Sequence, residues 1–134
     1  MTNVVVDTNV FLYAYDKKAD YFQRCTSLLG DPKVSVHTTT KNISECVAMM
    51  TKLNYPKQDI LRVMDEIYRD ATILYPSPLS LPLFKRLFSK YEPRGNRVFD
   101  IEIVSIMLAA GITQLATINT KDFRGIDEIS LYAF

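Results

Sequence analysis

A carboxylate, Asp7, stands directly after three consecutive valines, Val4-Val5-Val6. Such a β-branched apolar run is typical of a buried strand in the middle of a sheet. Thr8 and Asn9 follow before apolar residues resume, which predicts that a helix begins there. Ligands bind beyond the carboxyl ends of strands in open α/β sheets. Asp7 is therefore either part of a chemical site, with Thr8 and Asn9 as supporting residues, or only the N-cap of the following helix.

Three further carboxylates occupy comparable positions in the sequence: Glu45, Asp100 and Asp122. Glu45 lies near the start of the helix predicted after the second strand, Asp100 opens an apolar helix, and Asp122 follows the fourth strand. Each has a purely structural alternative, because Glu45 completes a capping-box pattern with Asn42, Asp100 fits an N-cap, and Asp122 fits a turn. Strand ends and helix starts converge at one edge of a parallel sheet, so we expect these acids and Asp7 to share one pocket.

The residue types in this set predict a metal site. Ionised carboxylates packed together repel one another unless a cation lies among them. An all-oxygen ligand set without His or Cys selects a hard cation, Mg²⁺ or Mn²⁺. One or two such ions can lower the pKa of bound water and neutralise an attacked phosphate, which indicates phosphodiester hydrolysis. Because His37 is the only histidine, the sequence excludes a ribonuclease that uses a histidine pair as acid and base.

The elements that must position these acids alternate between strand and helix. Apolar patterning predicts strands over 3–6, 34–37, 71–75, 115–118 and 129–134. It predicts helices over 8–15, 21–29, 42–53, 56–68, 83–91 and 100–110. The connections are too long for hairpins, so the sequence predicts a mostly parallel sheet of four to five strands with helices on both faces, a three-layer α/β fold. With 134 residues, 48% of them hydrophobic, residues 1–134 are expected to form a single domain.

Composition limits the compartment and the partners. The formal net charge is +1, so any surface that attracts nucleic acid must be local. No apolar run approaches the roughly 20 residues of a membrane span, and the first residues show no signal peptide. The cysteines Cys25 and Cys46 fit no disulfide or zinc spacing and fall at apolar helix positions. We therefore expect two reduced core cysteines in a cytoplasmic protein without a membrane partner.

The ordered motifs resemble the PIN domain, and their spacing and the chain length are most similar to the VapC-type toxins of toxin–antitoxin pairs. The matching residues are Val4-Val5-Val6-Asp7-Thr8-Asn9, Ser44-Glu45, Asp100 with Ile103 and Ala109-Ala110-Gly111, Thr117-Ile118-Asn119, and Asp122-Phe123. The resemblance covers nearly the whole chain. It implies the PIN-like fold, Mg²⁺- or Mn²⁺-dependent cleavage of single-stranded RNA, a homodimer, and an antitoxin that covers the acidic pocket.

The resemblance also implies roles for individual residues. Asp7, Glu45 and Asp100 match the three core acids of the family, which are catalytic and hold the metal. At the fourth position the family has an Asp or Asn after the strand-end Thr. Asn119 fills that position here, with Thr117 as a polar neighbour, and Asp122 is the acid a few residues on. The sequence leaves open which of Asn119 and Asp122 completes the site.

A basic segment precedes Asp100. Residues 85–97 carry five cations against the single acid Glu92, a local charge of +4. We expect Arg94 and Arg97, in the loop nearest Asp100, to hold the RNA backbone. The other three cations, Lys85, Arg86 and Lys90, are expected to form a solvated helix face.

Other classes of protein fit the sequence less well. A non-catalytic PIN-like module that binds RNA or protein remains the alternative, because the fourth position is ambiguous. A haloacid-dehalogenase-type phosphatase needs a second Asp where this chain has Asn9, and a receiver domain needs an acidic pair that is missing. The sequence leaves the RNA target, the antitoxin, and the distinction between a toxin and a housekeeping ribonuclease open.

Overall fold

A five-stranded parallel sheet forms the centre of the computed structural model, which describes residues 1–134. The strands are β1 (Thr2–Val6), β2 (Val34–Thr39), β3 (Thr72–Leu74), β4 (Gln114–Ala116) and β5 (Ser130–Leu131). Their order across the sheet is β3-β2-β1-β4-β5, and every neighbouring pair is parallel. The α/β fold predicted from the strand–helix alternation is therefore confirmed.

Seven helices cover both faces of the sheet. They are α1 (Thr8–Tyr15), α2 (Phe22–Leu29), α3 (Thr40–Lys52), α4 (Lys57–Asp70), α5 (Ser80–Tyr91), α6 (Arg97–Ala109) and α7 (Thr120–Phe123). Helices α1 to α4 contribute to the apolar cluster on one face, and α5 to α7 contribute to the cluster on the other. None of the seven combines the length and apolar character that a membrane-spanning helix requires.

Strand β1 occupies the middle of the sheet because its side chains are apolar on both faces. Val4 and Val6 pack into the core beneath α1 to α4, while Val5 points to the opposite core, as the two-residue period of a strand requires. All three valines are fully buried. The chain extends the sheet from β1 through β2 to β3 and then returns to place β4 on the other side of β1. The order of the strands thus reverses at β1 and β4, which is where open α/β sheets bind ligands.

Several local predictions were wrong. Helix α5 begins at Ser80 instead of residue 83, α7 was not predicted, and β5 is limited to Ser130–Leu131. The others concern the starts of α3 and α6. Helix α3 begins at Thr40 with Thr39 as its N-cap, and Thr39 forms the capping box with Asn42, so Glu45 is not a capping-box residue. Strand β2 continues to Thr39 and leads directly into this helix, which moves the start before Asn42. Helix α6 begins at Arg97, so Asp100 is not an N-cap and Arg97 is not in a loop. Both cysteines are buried free thiols, as predicted.

Candidate metal centre

Asp7 lies at the carboxyl end of β1, where residues from both neighbouring strands reach its carboxylate. The backbone N–H of Thr8 and the side-chain amide of Asn42 donate to Oδ1 at 2.8 and 2.9 Å. The hydroxyl of Thr117 donates to Oδ2 at 2.8 Å. Asn42 follows β2 and Thr117 follows β4, so the three central strands together fix one carboxylate. Asp7 is also the N-cap of α1. Its role as a helix cap and its place in the pocket are therefore compatible.

The polar side chains of Asn9 and Thr117 contact the Asp7 carboxylate and the turn after β4. The Asn9 amide contacts Oδ2 of Asp7 at 3.4 Å, and its Oδ1 accepts the backbone N–H of Ile118 at 3.4 Å. The Thr117 hydroxyl accepts the backbone N–H of Asn119 at 3.0 Å. These contacts tie the turn after β4 to the start of α1. The predicted supporting residues Thr8, Asn9 and Thr117 therefore all contact Asp7.

All four predicted acids line a single pocket of about 190 Å³. Asp7 comes from the end of β1, Glu45 from the second turn of α3, Asp100 from the first turn of α6, and Asp122 from α7. Asn119 also lines the pocket. Its side chain makes no hydrogen bond, and the residue is exposed. Four carboxylates from four elements therefore face one small space.

The electrostatics of the pocket reflect this crowding. Burial raises the pKa of Asp7 although Thr117, Thr8 and Asn42 donate hydrogen bonds to it. Burial first, and then the charges of Asp122, Glu45 and Asp7, raise the pKa of Asp100 to about 7, against the opposing charge of Arg97. The neighbouring carboxylates thus disfavour ionisation of Asp100, which a cation among them would reverse.

The carboxylate of Glu45 lacks a hydrogen-bond partner that its burial would require. Its Oε1 is buried and has no hydrogen-bond partner, whereas buried carboxylate oxygens normally have one. Burial and the charge of Asp7 raise the pKa of Glu45, while Lys41 on the same helix lowers it. The Lys41 ammonium rests 3.6 Å from the centre of the Phe99 ring, so it bridges α3 and α6 instead of pairing with Glu45.

The residues of the pocket fit a hard divalent cation in type and charge. They supply carboxylate oxygens, an unpartnered buried oxygen on Glu45, and mutual repulsion that a cation would relieve. No three acidic, His or Cys side chains converge closely enough to form a finished set of metal ligands. Asp7 is already oriented by its hydrogen bonds, so the remaining acids would have to approach it for a shared ion to bind.

The two arginines predicted to bind RNA lie at or near the edge of the acidic pocket, and they differ in the contacts that their side chains make. The Arg97 guanidinium is 3.6 Å from Oδ2 of Asp100 and donates to the backbone carbonyl of Asp122 at 2.8 Å. Arg94 lies outside the acidic pocket and lines an adjoining cavity. Arg97 therefore joins α6 to α7 at the site, while Arg94 forms no ion pair.

Sequence reasoning missed the role of Asn42. The sequence indicates Asn42 only as a capping residue, whereas in the structure the oxygen of its amide caps α3 and the nitrogen donates to Asp7. Asn42 is fully buried, and asparagine side chains are mostly exposed in proteins, so its burial is consistent with the hydrogen bonds that it makes. The signal available was its position five residues after the end of the strand predicted over 34–37.

The parallel sheet, its reversal at β1 and β4, and the acidic pocket at that edge define a class of α/β protein with a carboxylate-lined site. The PIN domain family model matches residues 4–129, which is most of the chain. The chain belongs to the PIN domain family. A comparison with curated protein sequences gives no significant match.

Solved structures of toxin–antitoxin proteins have the same fold. A chain of VapBC2 from Rickettsia felis, bound to a promoter DNA fragment, is 21% identical with a TM-score of 0.77, over 99% of both chains. A chain of DNA-bound VapBC from Salmonella typhimurium is 16% identical with a TM-score of 0.74, over 98% of both chains. VapC20 from Mycobacterium tuberculosis, a toxin that cleaves the sarcin-ricin loop, is 13% identical with a TM-score of 0.71, covering 94% of this chain and 98% of its own.

Proposed function

We propose that this chain is a Mg²⁺- or Mn²⁺-dependent endoribonuclease that hydrolyses phosphodiester bonds of single-stranded RNA. The observation that carries the proposal is the convergence of Asp7, Glu45, Asp100 and Asp122 on one pocket at the switch point of the sheet. Membership of the PIN domain family supports the same chemistry. A non-catalytic PIN-like module needs no such set of mutually repelling carboxylates.

The residues divide into holding and orienting roles. Asp7, Glu45, Asp100 and Asp122 would hold the ion, which when bound supplies an activated water and neutralises charge on the phosphate. Asn42 and Thr117 orient the Asp7 carboxylate through their hydrogen bonds. Orienting contacts of this kind usually matter about 10–100-fold for metal affinity or activity.

The positive rim complements the RNA backbone. Arg94 and Arg97 flank the acidic pocket, and we propose that they contact phosphates next to the one that is cleaved. Arg97 also shields Asp100, since its charge opposes the rise in the pKa of that carboxyl. The attraction remains local because the chain as a whole carries a net charge of only +1.

We further propose that the chain is the toxin of a toxin–antitoxin pair, active as a homodimer in the cytoplasm and inhibited by a cognate antitoxin. The fold shared with chains of VapBC complexes supports this proposal. Light scattering tests the dimer, which has twice the protomer mass of 15.4 kDa. Co-expression with the product of a small adjacent reading frame tests the antitoxin, which should co-purify and suppress cleavage.

The nuclease proposal is tested by incubating the purified protein with a labelled single-stranded RNA. Cleavage should require added Mg²⁺ or Mn²⁺ and stop in excess EDTA. The Asp7→Asn protein is the control against a contaminating nuclease, since its charge and volume differ little from those of the native chain. Metal-independent cleavage, or equal cleavage by Asp7→Asn, would refute the assignment. Binding of RNA without cleavage under any divalent ion would favour the non-catalytic module.

A further inference from the structure

A second cavity of about 320 Å³ adjoins the acidic pocket. The two share Arg97 and Asp100 as lining residues, so they are direct neighbours. We infer that this space, the Arg94 cavity, binds the nucleotide of a single-stranded RNA that lies immediately beside the cleaved phosphodiester. This inference rests on the proposed nuclease function and adds a defined subsite to it.

The charged residues that line the cavity are two acids, Glu92 and Asp100, and two arginines, Arg94 and Arg97, and the arginines differ in whether they are free to bind an anion. Of the cations between α5 and α6, Lys90 is bound to Glu128 at 2.9 Å and Arg97 is held beside Asp100. Arg94 lines the cavity, is exposed, and makes no ion pair or side-chain hydrogen bond. Its guanidinium is therefore the one cation at this cavity that remains available for a phosphate.

The walls suit a nucleobase. Tyr91 lines the cavity, and its hydroxyl accepts the backbone N–H of Asp127 at 2.9 Å and donates to Glu128, so the ring is fixed in place. Ile101 and Ile126 are buried and supply apolar surface beside it. Unpaired bases of RNA are recognised by stacking on aromatic side chains, with cations holding the adjoining backbone.

The loop that carries Arg94 is held in one shape by its backbone. Glu92 ends α5 with φ of 46°, a left-handed conformation that is uncommon outside glycine. Gly95 adopts φ of 57°, and Pro93 lies between the two. Residues that persist in sparsely populated conformations cluster at binding sites. The turn thus places the backbone of Arg94 beside the cavity.

Two variants address the cavity without touching the four acids. Arg94→Ala removes the free cation, and Gly125→Leu adds bulk from the opposite wall. A Cβ at Gly125 meets no atom within 4 Å and its φ is not left-handed, so the fold should accept the substitution. The matched controls are Lys85→Ala, an exposed cation on α5, and Thr113→Leu, an exposed residue before β4.

The first measurement is RNA binding without metal. A short fluorescein-labelled single-stranded RNA is titrated in EDTA at several salt concentrations and followed by fluorescence anisotropy. Arg94→Ala should weaken binding about fivefold, as expected for one exposed charge contact. It should also reduce the dependence of log affinity on log salt by about 0.7, the contribution of one phosphate on a single strand. Gly125→Leu should weaken binding with the salt dependence unchanged, and both controls should bind like the native chain.

The second measurement is the base preference around the cut, read by sequencing the products of a random RNA pool with metal present. Gly125→Leu should alter the preference at one position beside the cut and leave the others unchanged.

Native affinity and native preference in both cavity variants would overturn the subsite, as would no binding of RNA by the native chain. If RNA is bound through Arg94 but never cut, the nuclease proposal fails, and the Arg94 cavity is an RNA-binding site without a place in a cleavage reaction. If RNA is cut and both cavity variants keep the native affinity and base preference, the nuclease proposal stands and the subsite is refuted.

Discussion

The side-chain amide of Asn42 donates a 2.9 Å hydrogen bond to Oδ1 of Asp7, a residue 35 positions earlier in the chain. The oxygen of the same amide accepts from the backbone N–H and the hydroxyl of Thr39 at 3.2 and 2.7 Å. One buried side chain therefore caps α3 and fixes the carboxylate at the centre of the site. Stability and site geometry are coupled through this residue.

Removing this amide should damage both properties. Asn42→Ala deletes a capping contact and a donor to a buried carboxylate, so we expect the free energy of unfolding to fall by about 1–3 kcal/mol. Cleavage should fall about 10–100-fold because Asp7 loses an orienting contact. Urea denaturation and initial rates measure the two effects. Asn42→Asp keeps the size but sets a second carboxylate against Asp7, and should be worse at neutral pH.

Ser44→Ala is the matched control for Asn42. Ser44 lies on α3 two residues away, is exposed, and bonds only to the carbonyl of Thr40. Its removal should leave stability and cleavage close to those of the native chain. Equal effects of the Ser44 and Asn42 substitutions would mean that the contact between Asn42 and Asp7 has no special importance.

The Asp7→Asn substitution should separate function from folding. Burial already disfavours the ionised form of Asp7, as its raised pKa indicates, so a neutral amide costs the fold little. The amide oxygen can still accept from Thr8 and Asn42. We expect cleavage to fall to background while the free energy of unfolding stays within about 1 kcal/mol of the native value. Circular dichroism melting and the RNA assay measure the two. Loss of folding together with activity would contradict this separation.

The sequence predicted those parts of the site whose determinants lie within a few residues of one another along the chain. The Val4-Val5-Val6-Asp7 motif predicted the central strand and the helix after it, because burial on both faces selects a β-branched run. The contact between Thr117 and Asp7 spans 110 positions, so only the topology could suggest it.

Helix starts depended on competition between neighbouring capping residues. Thr39 and Asn42 are both good N-caps, and the pairing of β2 with β3, which includes Thr39 and Leu74, decided between them. The same limit explains why Arg97 was expected in a loop. In the first turn of α6, Arg97 pairs with Asp100 three residues on and also donates to the carbonyl of Asp122, and only the second of these contacts is tertiary.

Asp100 should make the stability of the metal-free protein depend on pH. Its pKa is about 7 in the folded protein against an ordinary value of 3.8. Between these values the folded protein binds more protons than the unfolded chain, so the free energy of unfolding should fall as pH rises towards 7 and then level off. Asp7 and Glu45 shift in the same direction. Urea denaturation in EDTA across this range measures the slope.

Asp100→Asn is the control for this pH dependence. It removes the titrating group with little change in volume, so the slope between pH 3.8 and about 7 should become shallower. A divalent ion competes with the proton, and the stabilisation by Mn²⁺ should therefore grow with pH in the native chain. An unchanged slope in Asp100→Asn would assign the pH dependence to other groups.

Glu45→Gln should change stability and metal binding in opposite directions. Oε1 of Glu45 is buried without a partner, and the charge of Asp7 adds to its raised pKa. Removing the charge should raise the free energy of unfolding in EDTA at alkaline pH, where the native carboxylate is ionised. The rise in melting temperature on adding Mn²⁺ should shrink, because a ligand is lost. Glu66→Gln on α4 is the control and should change neither. A Glu45→Gln protein that is less stable in EDTA and binds Mn²⁺ normally would refute both statements.

The fourth position of the site is decided by comparing Asp122 with Asn119. Asp122 is the largest charge contribution to the raised pKa of Asp100, so the two carboxylates are electrostatically close. Asn119 lines the pocket but is exposed, and it contacts the site residues Thr117 and Asp122 only through its backbone N–H and carbonyl. Asp122→Asn should therefore reduce cleavage and Mn²⁺ affinity about tenfold or more, while Asn119→Ala should change them less than about threefold. Initial rates across a Mn²⁺ titration measure both, since a lost ligand raises the metal concentration needed for half-maximal rate. If Asn119→Ala instead produces the larger rise, the neutral amide completes the site and Asp122 acts only through its charge on Asp100.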